Sequence, residues 1–368
     1  MNEKIYNIPL FKVHMPESVL KPLNEVLMSG FIGQGPKVEE FEKKIGDFIG
    51  NPNVLTVNSG TSAIQLAYRL AGVGIGDEVI TTPMTNIATN VPIIAAGGKI
   101  KWADIDSETG SLSPDSVKKK ISKKTKAIMA MQWGGYPPNM DEIHEIAQDF
   151  GIKVIEDAAQ GFGAEYKNRK TGSYSDFTIF SFQAIKHITT GDGGALICRN
   201  REDYDRGKLL RWFGIDRDEK GRKDFRCEKD IKEWGYKFHM NDICATIGIN
   251  QMKYIEGILR KTRANAKRFD NELEGVELLN YANDRKSAYW LYTIKVPDLD
   301  LFFSKMKEKG ITVSQVHARN DKHTMFNEFQ EKLPGVDKFV DGMVCIPVGW
   351  WLSDDDLNHI IRSINELS

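Results

Sequence analysis

The feature that most narrows the folds open to this chain is a series of short Val- and Ile-rich runs separated by single stretches of helical period. The runs are "VLTV" (54–57), "EVITT" (78–82), "KIKWAD" (99–104), "AIMAMQ" (127–132), "KVIED" (153–157), "FTIFSF" (177–182) and "GALIC" (194–198). Between them, "SAIQLAYRLAG" and "NMDEIHEIAQDFG" carry apolar residues at helical spacing and stop at Gly72 and Gly151, as helices closed by a glycine do. A parallel strand pair needs a crossover connection, usually a helix, and its strands read as near-continuous apolar runs. The pattern therefore predicts an α/β fold, a mainly parallel seven-stranded sheet with helices on both faces, over residues 1–250. A long helical stretch then leads to "YWLYTIKV", "FFSKMKEKG" and "DDLNHIIRSINEL", which predict a small C-terminal α+β domain over 251–368.

Composition excludes several classes. With 50 basic and 51 acidic side chains the net charge is −1, which gives no reason to expect nucleic acid or an anionic membrane as partner. Cys198, Cys227, Cys244 and Cys345 are scattered with no CxxC pair, the usage of a reducing compartment. The opening "MNEKIYNIPLFKVHM" lacks the basic start and apolar run of a signal peptide, and "VPIIAA" (91–96) is too short to span a bilayer. A soluble, cytoplasmic protein is expected. Residues 214–233 interrupt the pattern: from Asp216 to Lys232 there are seven basic and six acidic residues. This is either an interface loop or plain solvated surface.

Three segments carry candidate chemistry. In "VNSGTSAIQLA" (57–67) a strand turns into a helix at Asn58–Ser59–Gly60; free N–H groups there suit a phosphate, although Ser or Thr at such a place is commonly only a cap. "KVIEDAAQGFGA" (153–164) ends a strand in Glu156–Asp157, at the sheet edge where ligands bind in open α/β folds. "SFQAIKHITTGDGGALI" (181–197) sets Lys186 between a strand and glycines 191, 193 and 194, which let backbone approach a ligand closely. Each has an ordinary structural explanation. Together, a phosphate cradle, a strand-end carboxylate and a lysine match pyridoxal phosphate, an aldehyde that needs an amine, a pyridine nitrogen that needs an anion, and a phosphate that needs donors.

With "NSGTSAIQLA", "YPPNMDEIHEIAQDFGIKVIEDAAQGFGAEY", "FSFQAIKHITTGDGGAL" and "WGYKFHMNDICATIGINQM" in order, the chain resembles the DegT/DnrJ/EryC1/StrS family of pyridoxal phosphate-dependent sugar aminotransferases, of fold type I. The resemblance runs from about residue 28 to the C-terminus. It implies that Lys186 bonds the cofactor's aldehyde and shuttles a proton, that Asp157 holds the proton on the pyridine nitrogen, and that Gln160 lies beside the ring. It implies that Gly60, Thr61 and Ser181 bind the phosphate, and that Lys237 reaches the neighbouring subunit's phosphate across a homodimer interface. Relatives usually carry Asn at the position of Lys237. They also often stack an aromatic residue on the ring where this chain has Ile87, so either Ile87 or Met84 would cover the ring.

The implied reaction takes an amino group from L-glutamate to a keto sugar carried on a nucleotide, in amino-sugar biosynthesis for a surface polysaccharide or glycoconjugate. Relatives with His in place of the lysine eliminate a sugar hydroxyl; here the position is Lys186 followed by His187, which favours transamination over dehydration. A non-catalytic, cofactor-bound regulator would be expected to add a basic helix-turn-helix segment, and none is visible. Neither GxGxxG nor a Walker-type loop occurs. His317, Arg319 and Trp133 are candidates for contact with the substrate; Arg319 could equally be a surface charge and Trp133–Gly134–Gly135–Tyr136 simply a turn. Trp350 and Trp351 could border the pocket or belong to the small-domain core. His317 and His323, with no third ligand, make no metal site, and none is expected.

Overall fold

All seven apolar runs become strands of one sheet. In the computed structural model, which describes residues 6–217 and 230–367, they are β1 (Val54–Val57), β2 (Glu78–Thr81), β3 (Lys99–Trp102), β4 (Thr125–Met131), β5 (Lys153–Asp157), β6 (Phe177–Ser181) and β7 (Gly194–Cys198). Their order across the sheet is β1-β7-β6-β5-β4-β2-β3. The pairs β6–β5, β5–β4, β4–β2 and β2–β3 are parallel, and β7 alone runs against both of its neighbours. The C-terminal ends of β1, β5 and β6, which are Val57, Asp157 and Ser181, thus reach the same edge as the N-terminal Gly194 of β7. Most of the mixed-charge loop, with Cys227, lies outside the described residues.

Strand side chains alternate between two cores, as a period of two requires. Leu55, Met129, Ile155, Ile179 and Leu196 pack with Ile64 and Ala67 of α2 (Gly60–Leu70) and with Ile93 of α3 (Ile87–Ala95). On the other face, Val54, Phe180 and Ile197 meet Phe41 and Ile45 of α1 (Pro36–Ile49), and Ile128 and Val154 meet Ile143 and Ala147 of α4 (Met140–Phe150). Full burial of such a side chain contributes about 1.5–3 kcal/mol. Both faces of the sheet are stable only under helices, which is why its strands read as unbroken apolar runs.

α5 (Ile255–Glu272) runs from this sheet to a second, antiparallel one made of β8 (Glu277–Leu278), β9 (Tyr292–Lys295) and β10 (Met343–Ile346). There Phe269, Ile294, Phe302, Val344 and Ile360 share a core that Ile8, from the other end of the chain, also enters. Trp351 packs against this core. The strand predicted in "YWLYTIKV" begins only at Tyr292, so Trp290 lies in the turn before it. No helix among the described residues is long and apolar enough to cross a membrane.

Candidate active site

The last residues of β5 are two adjacent carboxylates that pleating sends to opposite faces. Glu156, fully buried, accepts hydrogen bonds from Gln132, Tyr174, Ser175 and Thr178 and is a structural anchor. Asp157 points the other way, into a cavity of about 530 Å³ at the strand ends. Its Oδ2 accepts from the Thr89 hydroxyl at 2.7 Å and its Oδ1 from the Ala159 N–H at 3.1 Å. Burial raises its pKa above the ordinary carboxylate value, while Thr89, Ala159 and the charge of Lys186 pull it back.

Lys186 lines the same cavity. Desolvation lowers its pKa to about 8, against the attraction of Asp157. Gly60, Thr61 and Ser181 also lie in the wall. Ser59 caps α2 by accepting from the Ser62 N–H, which leaves the first turn open towards the cavity. A side chain at Gly60 would meet the Cβ of Ser181 at 3.1 Å, and one at Gly194 would meet the Gly60 nitrogen at 2.6 Å. These two glycines allow β6, β7 and the start of α2 to crowd together at the point where a phosphate would sit.

Gln160 completes one side. Its Oε1 accepts from the Gly134 N–H at 2.8 Å, and its amide lies 3.1 Å from His317 Nε2. With Gln160 donating, the hydrogen of His317 is on Nδ1. Burial and the nearby Lys186 lower the pKa of His317 to about 4, so it is neutral at pH 7. Trp133 sits behind His317, ring centroids 5.9 Å apart, with its indole N–H donating to Thr293. It supports the wall without lining it.

Four expected residues lie elsewhere. Neither Ile87 nor Met84 lines the cavity: Asn86 caps α3 by accepting from the Ala88 N–H, so Asn86, Ala88 and Thr89 face the cavity while Ile87 and Met84 pack into the core. Arg319 is engaged by Asp321, at 2.7 and 3.0 Å, and by Asp337, away from the cavity wall. Lys237 is exposed, 5.5 Å above the ring of Trp212 and outside this chain's cavity. In turn, the wall contains residues that had no signal in the sequence: Thr89, Val316 and Trp290. Val316 has φ +62, a strained conformation for a β-branched residue. Among the described residues, no group of three or more His, Cys, Asp or Glu side chains could hold a metal ion.

A mixed seven-stranded sheet carrying a buried Asp and a cavity-lining Lys at its C-terminal edge defines a fold type I enzyme, and solved sugar aminotransferases share this architecture. CalS13 of Micromonospora echinospora, a sugar aminotransferase, superposes with a TM-score of 0.93 at 38% identity, over 98% of this chain and 99% of that one. The PLP-form of Spr1654 from Streptococcus pneumoniae, named a putative sugar aminotransferase, gives 0.91 at 26% identity over 98% of both chains. The UDP-4-amino-4,6-dideoxy-N-acetyl-beta-L-altrosamine transaminase of Campylobacter jejuni is 32% identical over 91% of this chain and 90% of its own length. The model of the DegT/DnrJ/EryC1/StrS aminotransferase family matches residues 14–365, and the chain belongs to that family. Its cofactor is pyridoxal phosphate.

Proposed function

We propose that this chain moves an amino group from L-glutamate to a keto sugar carried on a nucleotide. The observation that carries the reading is that Lys186 and Asp157 line one cavity with Gly60, Thr61 and Ser181. These residues suit the cofactor, with a buried anion for the ring nitrogen, an amine for the aldehyde, and N–H and hydroxyl donors around the glycine cradle for the phosphate. The Campylobacter relative, named for a UDP-linked amino sugar, is the ground for taking the acceptor to be nucleotide-linked.

Bound pyridoxal phosphate supplies an electron-withdrawing ring that accepts the electron pair left when a proton leaves the amino-bearing carbon. The remaining work falls to side chains. Asp157, oriented by Thr89 and Ala159, would as a carboxylate favour the protonated ring nitrogen. With a pKa of about 8, Lys186 is neutral in about one molecule in ten at pH 7, against fewer than about one in a thousand for an ordinary lysine. That free amine can take a proton from one carbon and return it to another. The first turn of α2 and Ser181 would hold the phosphate, and Gln160 with neutral His317 would border the ring.

The reading includes a homodimer. Phe31 is 82% exposed, Met28 75% and Trp234 59%, and a second cavity of about 670 Å³ is lined by Phe31, Ile32, Trp212 and His239. A second copy over this face would cover these apolar groups and bring Lys237 towards a neighbouring phosphate. The function is tested by adding L-glutamate to the loaded protein and then nucleotide-linked 3-keto and 4-keto sugars. Conversion of the cofactor spectrum by glutamate, reversed by one of the sugars, is expected. A spectrum indifferent to glutamate contradicts the reading.

A further inference from the structure

Trp290 reaches the cavity wall from the turn before β9 and touches three other parts of the site. Its backbone N–H bonds the Gly134 carbonyl at 2.8 Å, and its indole N–H donates to the Ile185 carbonyl at 2.8 Å. The Nζ of Lys186 lies 3.6 Å from its ring centroid. Phe11 stacks beside it at 4.8 Å and 22°, and the His317 ring lies at 6.3 Å and 18°. Tyr289, immediately before it, has φ +49, a conformation that L residues adopt only under constraint. On the far side of the lysine, His187 Nε2 lies 2.9 Å from the Ala288 carbonyl. Burial lowers the pKa of His187 to about 4, so the neutral ring donates this bond. The short loop carrying Lys186 is therefore fastened at Ile185 and at His187 to one segment, 288–290.

An aromatic face differs from a carboxylate as a neighbour for an ammonium. It stabilises the cation through its quadrupole but accepts no proton and forms no directed ion pair, so the amine is held and readily released. The titratable groups that sense Lys186 are Asp157, whose charge favours the ammonium, and His187 and His317, both lowered to about 4. Asp192 lines the same cavity. Transamination frees the lysine whenever the transferred nitrogen rests on the cofactor, and the free amine then needs a defined place.

We propose that Trp290 is a positioning residue for Lys186: its ring face holds the free ammonium, and its indole N–H fixes the loop that aims it. This rests on reading Lys186 as the cofactor's lysine. The test uses the full-length, cofactor-free protein with Trp290→Phe and Trp290→pentafluorophenylalanine, two rings of closely similar shape whose faces differ in electrostatic sign. The ionisation of Lys186 is followed by trace labelling with acetic anhydride across pH, read on its own peptide by mass spectrometry. The fluorinated variant should titrate about half a unit lower, labelling about threefold faster at pH 7 than the Phe variant. Equal profiles in the two variants overturn the proposal, because a purely structural ring would not distinguish them. If Phe is not tolerated at 290, the parent with and without uniform trifluorotryptophan gives the same comparison. Borohydride reduction of the cofactor-loaded parent checks the underlying reading separately: a mark on a different lysine overturns that reading whatever the two rings do.

Discussion

Thr89 donates its hydroxyl to Asp157 across 2.7 Å, linking the first turn of α3 to the end of β5. The same hydroxyl lies 2.8 Å from that of Thr85, so the carboxylate is steered by a short chain of hydroxyl groups on the turn after β2. A buried carboxylate with few donors tends to take up a proton. Thr89 and Ala159, together with the charge of Lys186, oppose that effect of burial, and the first two aim the carboxylate into the cavity.

Asp157→Asn should therefore bind pyridoxal phosphate yet turn over about a hundredfold more slowly or worse. Thr89→Val, which removes one bond to a charged group, should lower turnover by about tenfold. Single-turnover spectra with glutamate check both, and near-parental rates in Asp157→Asn contradict the role given to that carboxylate.

Lys186 carries a measurable burden in the cofactor-free protein. Its pKa is about 8 in the folded chain against about 10.5 for an ordinary lysine, so folding opposes the ammonium. Between these values the unfolded chain binds the extra proton, and parental stability rises with pH. Lys186→Met should thus melt at a higher temperature than the parent at pH 7, with the gap closing between about pH 8 and 10.5. Thermal melts of the two cofactor-free proteins over that range check it.

Two histidines beside Lys186 act at the acid end. His187 and His317 both titrate at about 4 in the fold, below the ordinary value of about 6.5. As pH falls through this window the unfolded chain takes up protons first, and stability drops. His317→Gln should flatten part of the fall between pH 6.5 and 4, as read by denaturant midpoints.

How much of this was legible in the sequence differs by element. The seven strands were, because a strand under helices on both faces must be apolar throughout, and "VLTV" and "GALIC" say so directly. The reversed direction of β7 was not, since an apolar run carries no polarity of its own. Asp157 and Ser181 end strands, and Gly60, Thr61, Gln160 and Lys186 follow strand ends by a few residues, where chemistry and local spacing coincide; all six line one cavity. Trp290 and Val316 come from a distant part of the chain and are brought there only by tertiary packing. Ile87 misses the cavity wall by a single step in register, because the Asn86 cap turns Ala88 and Thr89 to the cavity instead.

The exposed face around Phe31 makes its own prediction. Phe31→Asp alters a side chain that is 82% exposed, so the single chain should fold as before. Light scattering should show dimers for the parent and monomers for the variant. Cofactor affinity should fall about tenfold as Lys237 of the second copy withdraws from the phosphate. An unchanged dimer with unchanged affinity contradicts this assignment of the face.

The most direct measurement is to load the parent with pyridoxal phosphate, reduce it with borohydride and map the modified peptide. The label should fall on Lys186 alone and be lost in Lys186→Ala. A label on any other lysine, or one that survives in Lys186→Ala, contradicts the account.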